Sequence, residues 1–226
     1  MIFILPSRLV LESAVKRQRR GAWMALLLTM ALVPAAAEEG ALPVWSVGDR
    51  WTFDKFDGPT YDNQGVIRST IVFLIKESRD RSYGVEVTTQ PARTDRGPVL
   101  WNISRGLNTY WRDGAQLPWT ELRFLNWPLG EGTTWQFQHP QRDGGLFSWR
   151  ASAERWEEVV VPAGRFKALL IVIDGRSADG SYAKHGKLWY APAVKWKVKE
   201  EWVGEPAGHA TYVARERWEL QSYELH

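Results

Sequence analysis

Lys195-Trp196-Lys197-Val198-Lys199-Glu200-Glu201-Trp202 decides the fold class. Trp196, Val198, Glu200 and Trp202 share one parity, and Lys195, Lys197, Lys199 and Glu201 share the other. Successive side chains of a strand point to opposite faces, so this segment sets a mostly apolar face against a charged one. The pattern recurs near the C-terminus. Tyr212, Ala214, Trp218 and Leu220 alternate there with Thr211, Arg215, Arg217, Glu219 and Gln221, with Val213 and Glu216 as exceptions. Clean alternation predicts antiparallel strands with one wet face.

Moving outward, Ile71-Val72-Phe73-Leu74-Ile75 and Leu169-Leu170-Ile171-Val172-Ile173 are unbroken apolar runs rich in β-branched residues. Runs of this length and composition predict central strands covered on both faces. Further strands are expected around 51–56, 83–89, 98–103, 108–112, 120–125, 133–138, 147–161 and 182–190. Asp57-Gly58-Pro59, Asp113-Gly114, Asp143-Gly144-Gly145, Asp179-Gly180 and Glu205-Pro206 supply turn chemistry between them. No segment shows capped helical periodicity, and a short helix is allowed only near 117–127. The expected fold is all-β: a strongly curved antiparallel sheet or half-barrel of about ten strands with little helix.

The net charge of +3 belongs to the N-terminal region. Residues 1–37 carry Arg8, Lys16, Arg17, Arg19 and Arg20 against Glu12 alone. Removing these from the totals of 29 basic and 26 acidic groups leaves the remainder at net −1. No basic footprint for a nucleic acid remains. The basic cluster precedes the uncharged run from Ala22 to Ala37, which ends Ala-Ala-Ala. Such a layout predicts a secretory signal peptide over 1–37, and 38–226 as one β domain. The run is shorter than the ~20 apolar residues of a membrane span, and Pro34 breaks it, so no stable span is expected after cleavage. A signal peptide of ordinary layout would begin near Val15. The expected location is periplasmic or secreted. There is no Cys, which excludes disulfides, thiolate metal sites, a Cys nucleophile and a lipidated Cys.

Gly48-Asp49-Arg50-Trp51-Thr52-Phe53 is echoed by Gly132-Thr133-Thr134-Trp135-Gln136-Phe137 as Gly-x-x-Trp-x-Phe. Each Gly suits a turn, and each Trp and Phe then share a strand face. Val161-Pro162-Ala163-Gly164-Arg165-Phe166 reads as a turn in which Pro162 presets φ, Gly164 supplies φ > 0 and Phe166 re-enters the core. Leu188-Trp189-Tyr190-Ala191-Pro192-Ala193-Val194 reads as a strand ended by Pro192. Gly-x-x-Trp, Val-Pro-Ala-Gly-x-Phe and Trp-Tyr-Ala-Pro, in this order over roughly 125–200, resemble a group of exported bacterial proteins of unknown function. The resemblance implies a curved antiparallel sheet similar to the periplasmic lipoprotein carriers of the Lol system. It implies a fold rather than an activity. Those proteins often have Gly after the valine, where this chain has Lys195, so the local turn is expected to differ.

Searches for catalytic patterns return nothing. His139, His185, His209 and His226 lack the spacing of metal ligands, and His185 sits in a turn-like stretch. There is no Gly-x-Ser-x-Gly elbow and no phosphate loop. Glu121, Glu154, Glu157, Glu158 and Glu216 are carboxylates a glycosidase would need, but spacing alone pairs none of them. No catalytic residue, metal or cofactor is assigned. The positive signal is the 14 Trp. Trp101, Tyr110, Trp111, Trp119, Phe124, Trp127 and Trp149 gather in the middle of the chain and are the candidate ligand-binding residues. The expected function is a non-catalytic envelope binding protein whose Trp-rich apolar concave face takes a lipid, acyl chain or lipidated partner. The alternatives are a glycan-binding module or glycosidase, and an assembly partner that pairs through a sheet edge.

Overall fold

In the strand Trp196–Pro206, the side chains of Trp196, Val198, Glu200 and Trp202 are buried, and Lys197, Lys199 and Glu201 are half-buried. The alternation therefore holds residue by residue. The computed structural model describes residues 40–59, 67–91, 97–206 and 214–226, all within one compact unit, Ala35–His226. The expected signal peptide, His209 and the expected strand residues Thr211, Tyr212 and Val213 lie outside the described residues.

Among the described residues, twelve strands follow one another: β1 (Arg50–Pro59), β2 (Ile67–Ser78), β3 (Ser82–Gln90), β4 (Val99–Ser104), β5 (Tyr110–Trp111), β6 (Thr120–Glu121), β7 (Thr134–Pro140), β8 (Leu146–Val161), β9 (Gly164–Ser177), β10 (Tyr182–Ala191), β11 (Trp196–Pro206) and β12 (Ala214–Glu224). Ten form one antiparallel sheet in the order β4-β3-β2-β1-β12-β11-β10-β9-β8-β7, and β5 pairs with β6 alone. The sheet is two meanders, β1–β4 and β7–β12, joined where the first strand meets the last. Its free edges, β4 and β7, do not pair with each other, so the barrel stays open.

Ring contacts show how strongly the sheet bends. Strands three places apart in a flat sheet lie about 14 Å apart. Yet Trp196 on β11 and Phe73 on β2 have ring centroids 4.9 Å apart, and Trp149 on β8 reaches Trp202 on β11 at 6.0 Å. Glycines make room for the larger rings. A Cβ at Gly175 would overlap Phe147 and Trp149, and one at Gly186 would overlap Trp202.

Residues 105–133 run from one free edge to the other and pack into the bend. Phe124 meets Phe137, Trp149 and Trp202, and Trp127 meets Tyr190. Buried Asn108 fastens this segment: its side-chain oxygen accepts from Leu125 N–H at 2.9 Å, and its amide donates to Leu125 C=O at 2.8 Å. The segment takes the place of the helix allowed at 117–127. Residues 117–127 contribute only the two-residue strand β6 and bends, because the segment is fixed by side-chain bonds rather than by a helical ladder.

Other expectations are adjusted too. The 71–75 run is not sealed on both faces: Val72 and Leu74 are half-buried, since the outer side of β2 has no covering layer. In the 169–173 run, Leu169 and Leu170 are both buried just beyond a register shift opposite Ala153 and Arg155, which re-aims one side chain. Asp57-Gly58 and Glu205 belong to β1 and β11 rather than to turns. The 113–114, 143–145 and 179–180 turns are present, with Gly114, Gly144 and Gly180 at positive φ. His185 is exposed on β10, with Nδ1 2.6 Å from Asp174, not in a turn.

The quoted motifs interlock. Gly48 (φ +100) and Gly132 (φ +77) precede the first strand of each meander. Trp51 is fully buried, whereas Trp135 on edge strand β7 is half-buried. Trp51 Nε1–H donates to Val194 C=O at 2.8 Å, and Trp45 Nε1–H donates to Lys195 C=O at 2.9 Å. Both indoles thus hold the 3-10 turn Pro192–Val194 that follows Trp189-Tyr190-Ala191. Lys195 keeps this turn at φ +58, the left-handed conformation that glycine adopts without a Cβ clash. Its ammonium reaches Asp49 at 3.1 Å, and Asp49 has no exposed surface. In Val-Pro-Ala-Gly, Gly164 has φ +136 and closes the β8–β9 hairpin. Phe166 then enters the core.

Candidate functional site

Among the described residues, the concave side expected to bind is occupied by packed rings, Phe124, Trp149 and Trp202 among them, and a cavity opens instead at a sheet edge. At the free edge β4, all of Val99, Leu100, Trp101 and Asn102 are exposed. They line a cavity of about 750 Å³ together with Thr109, Tyr110, Trp111, Arg112 and Trp119 from the crossing segment, and Arg79, Arg81 and Ser82 from the β2–β3 turn. This volume falls within the ~300–1,000 Å³ of small-ligand pockets.

Each wall has a local cause. Asn108 and the Ile103–Thr109 bridge bring β5 back against the end of β4, so Tyr110 and Trp111 face its free edge. Ser104 Oγ–H donates to Glu121 Oε1 at 2.5 Å, which anchors β6 to the same strand. Trp101 meets Phe73 edge-on at 5.9 Å, so the cavity floor adjoins the core. Yet Trp101 is 40% exposed, Trp111 49% and Trp119 60%. Burying such surface is favourable at ~25 cal/mol per Å². Among the described residues, the indole N–H groups of these three make no hydrogen bond within the protein.

The rim is basic. The Arg112 guanidinium lies 4.6 Å from the Trp119 ring and donates to Ala115 C=O at 3.2 Å. Arg79 is bonded to Glu77 and donates to Asn102 Oδ1 at 2.7 Å. Among the described residues, no carboxylate comes within ion-pair distance of Arg81 or Arg112. No Asp or Glu lines the cavity. Burial, followed by the charge of Glu121, raises the Tyr110 phenol above its ordinary value, against a smaller opposite effect of Arg81. Tyr110 therefore offers a neutral hydroxyl across physiological pH.

The structure brings Trp101, Tyr110, Trp111 and Trp119 together here. It places Phe124, Trp127 and Trp149 in the packing of the bend, where Trp127 Nε1–H donates to Gly106 C=O and Trp149 Nε1–H to His139 Nδ1. Arg79, Arg81, Arg112, Val99 and Leu100 were not singled out in the sequence. The one signal for them was Val99-Leu100-Trp101, an apolar run that does not alternate.

The carboxylates considered for glycosidase chemistry have separate partners. Glu121 holds Ser104, Glu154 holds Ser152, Glu157 holds Arg155 and Trp189, Glu158 holds Arg165, and Glu216 faces Lys55. Among the described residues, no group of three or more His, Asp or Glu is placed to hold a metal ion, and no helix is long and apolar enough to cross a membrane.

No protein-family model matches the chain, and no curated protein does. Two solved structures are similar to it. One is a proposed exported protein with a YmcC-like fold from Bacteroides fragilis NCTC 9343, with a TM-score of 0.42 and 14% identity over 80% of this chain and 97% of that one. The other is a proposed lipoprotein from Parabacteroides distasonis ATCC 8503, with a TM-score of 0.42 and 12% identity over 79% and 96%. At this level of similarity, neither carries a function across to this chain.

Proposed function

We propose that this chain is an exported, non-catalytic binding protein of the cell envelope, and that the cavity beside β4 holds an apolar chain such as an acyl group. One observation carries the reading. Exposed apolar side chains from β4, β5 and the crossing segment converge on one cavity of about 750 Å³, whereas most other large rings among the described residues are buried or half-buried. Concentrated apolar exposure of this kind marks a binding surface. Export rests on the basic and apolar leader pattern of residues 1–37.

Native mass spectrometry of the purified chain tests the reading. A bound lipid is expected, and Trp111→Ala with Trp119→Ala should lose it. A wild-type protein that is free of lipid, and that takes up no neutral single-chain amphiphile when one is supplied, overturns the proposal. A sugar bound on Trp111 and Trp119 instead would favour the glycan alternative.

A further inference from the structure

The cavity has two chemically different parts. Val99, Leu100 and Trp101 give it an apolar wall, and Arg79, Arg81 and Arg112 give it a cationic rim. Arginines on a protein surface usually stand near carboxylates, and Arg79 does so through Glu77. Arg81 and Arg112 do not: among the described residues, neither has a carboxylate partner. Arg112 is instead laid over the Trp119 ring, which orients its planar donors while leaving the charge uncompensated. The lining itself carries three arginines and no Asp or Glu, although residues 38–226 as a whole are nearly neutral.

Building on the binding reading above, we infer that the ligand is a single-chain anionic amphiphile. Its chain lies along Val99, Leu100 and Trp101, and its carboxylate or phosphate head sits between Arg81 and Arg112. Guanidinium forks bind both head groups through paired charge-assisted hydrogen bonds, so a free fatty acid and a lysophospholipid-type phosphate share the required chemistry. The neutral Tyr110 hydroxyl adds a donor that does not repel the head.

The test is a set of single-chain amphiphiles of equal length, each titrated calorimetrically below its micellar concentration into the full chain. The set comprises dodecanoate, monododecyl phosphate, a neutral monododecanoyl glycerol and dodecyltrimethylammonium. The two anions are expected to bind about tenfold more tightly than the neutral ligand, with an affinity that falls as salt rises. Dodecanoate and monododecyl phosphate separate the two head-group sources. The double variant Arg81→Gln/Arg112→Gln should lose that tenfold advantage, so that anionic and neutral ligands bind alike. Equal binding of anionic and neutral ligands, or preference for the cation, overturns the head-group inference and leaves the apolar cavity standing. Binding of none of the four overturns the cavity reading itself. If the double variant does not fold by circular dichroism, the wild-type ranking and its salt dependence decide alone.

Discussion

The Trp45–Trp51–Trp196 cluster and the Trp101–Trp111–Trp119 group use the same side chain to opposite ends. In the first, ring centroids lie 4.8 to 5.3 Å apart, the rings are almost fully buried, and the indoles of Trp45 and Trp51 meet carbonyls of a single turn. In the second, the rings are at least two-fifths exposed. A buried Trp needs a partner for its N–H as well as room for its ring. Trp45 and Trp51 have both, because strands β1 and β11 bring opposite halves of the chain together there. The second lies at a free edge, where no strand supplies the missing side. Trp content alone therefore says little; what separates core from candidate surface is whether the sheet continues past the residue.

The largest effect should come from breaking the first cluster. Trp51→Ala removes a fully buried ring and leaves Val194 C=O without its donor. A loss of about 3–5 kcal/mol is expected, which corresponds to a fall in Tm of roughly 10 °C for a domain of this size. Thermal unfolding followed by near-UV circular dichroism reads it. A fall as small as that of Trp119→Ala would erase the distinction between the two groups. Gly186→Ala probes the same packing from the other side. Its Cβ would enter the Trp202 ring, and overpacking of this kind costs about 1–3 kcal/mol. An unchanged Tm would show that the Trp202 site is slack.

Lys195 sharpens the comparison, because it ties the first cluster to the end of the chain. Asp49 accepts from Ser46 N–H at 2.9 Å and from His226 N–H at 2.7 Å, and its charge faces the Lys195 ammonium. Lys195→Met keeps the left-handed backbone and removes the charge, at an expected cost of about 1–3 kcal/mol. Lys195→Gly removes the same charge but relieves the backbone, so it should be less harmful by roughly 1 kcal/mol. Urea denaturation of both variants reads the difference. A Gly variant more stable than wild type would mean that the ion pair contributes less than the backbone conformation costs.

His139 gives a pH-dependent contrast. Burial lowers its ring below the ordinary histidine value, and its Nδ1 accepts from Trp149 Nε1–H at 3.1 Å, which the doubly protonated ring cannot do. The unfolded chain then binds the proton more readily. Its contribution is complete above the unfolded pKa near 6.5 and is lost as pH falls through the lower folded value. Tm should therefore decline as pH falls below about 6.5. In His139→Gln that part of the decline should shrink, and an identical slope in both proteins would remove His139 as its source.

Much of the architecture was legible because alternation is a local property. Trp196 to Trp202 reports its two faces without reference to any other strand. Gly48, Gly132, Gly164 and Pro192 announce turns for equally local reasons. What was not legible depends on neighbours. Nothing within Val99-Leu100-Trp101 distinguishes an edge strand from a covered one, since that depends on whether another strand pairs beyond it. Phe124, Trp127 and Trp149 resemble Trp111 and Trp119 in sequence, and they separate only because residues 105–133 cross the bend. The Arg81–Arg112 rim joins residues far apart in sequence, and no spacing rule reaches that far. Lys195 was legible as a departure from a familiar pattern, but its compensation through Asp49 was not.

The smallest expected effect is the most discriminating. Trp119→Ala removes the most exposed Trp, Tyr or Phe among the described residues, one with no indole hydrogen bond among those residues and a single guanidinium laid over it. Substitutions at such sites ordinarily change stability by less than about 0.5 kcal/mol, so its Tm should match wild type within about 2 °C. A side chain that contributes so little to folding while exposing a large apolar ring is better explained by what it binds than by what it supports. If Trp119→Ala instead unfolds near the Trp51→Ala midpoint, the edge aromatics are part of the core and the cavity beside β4 is a packing gap. If stability is kept and affinity for a single-chain amphiphile falls, the two aromatic groups divide folding and binding between them.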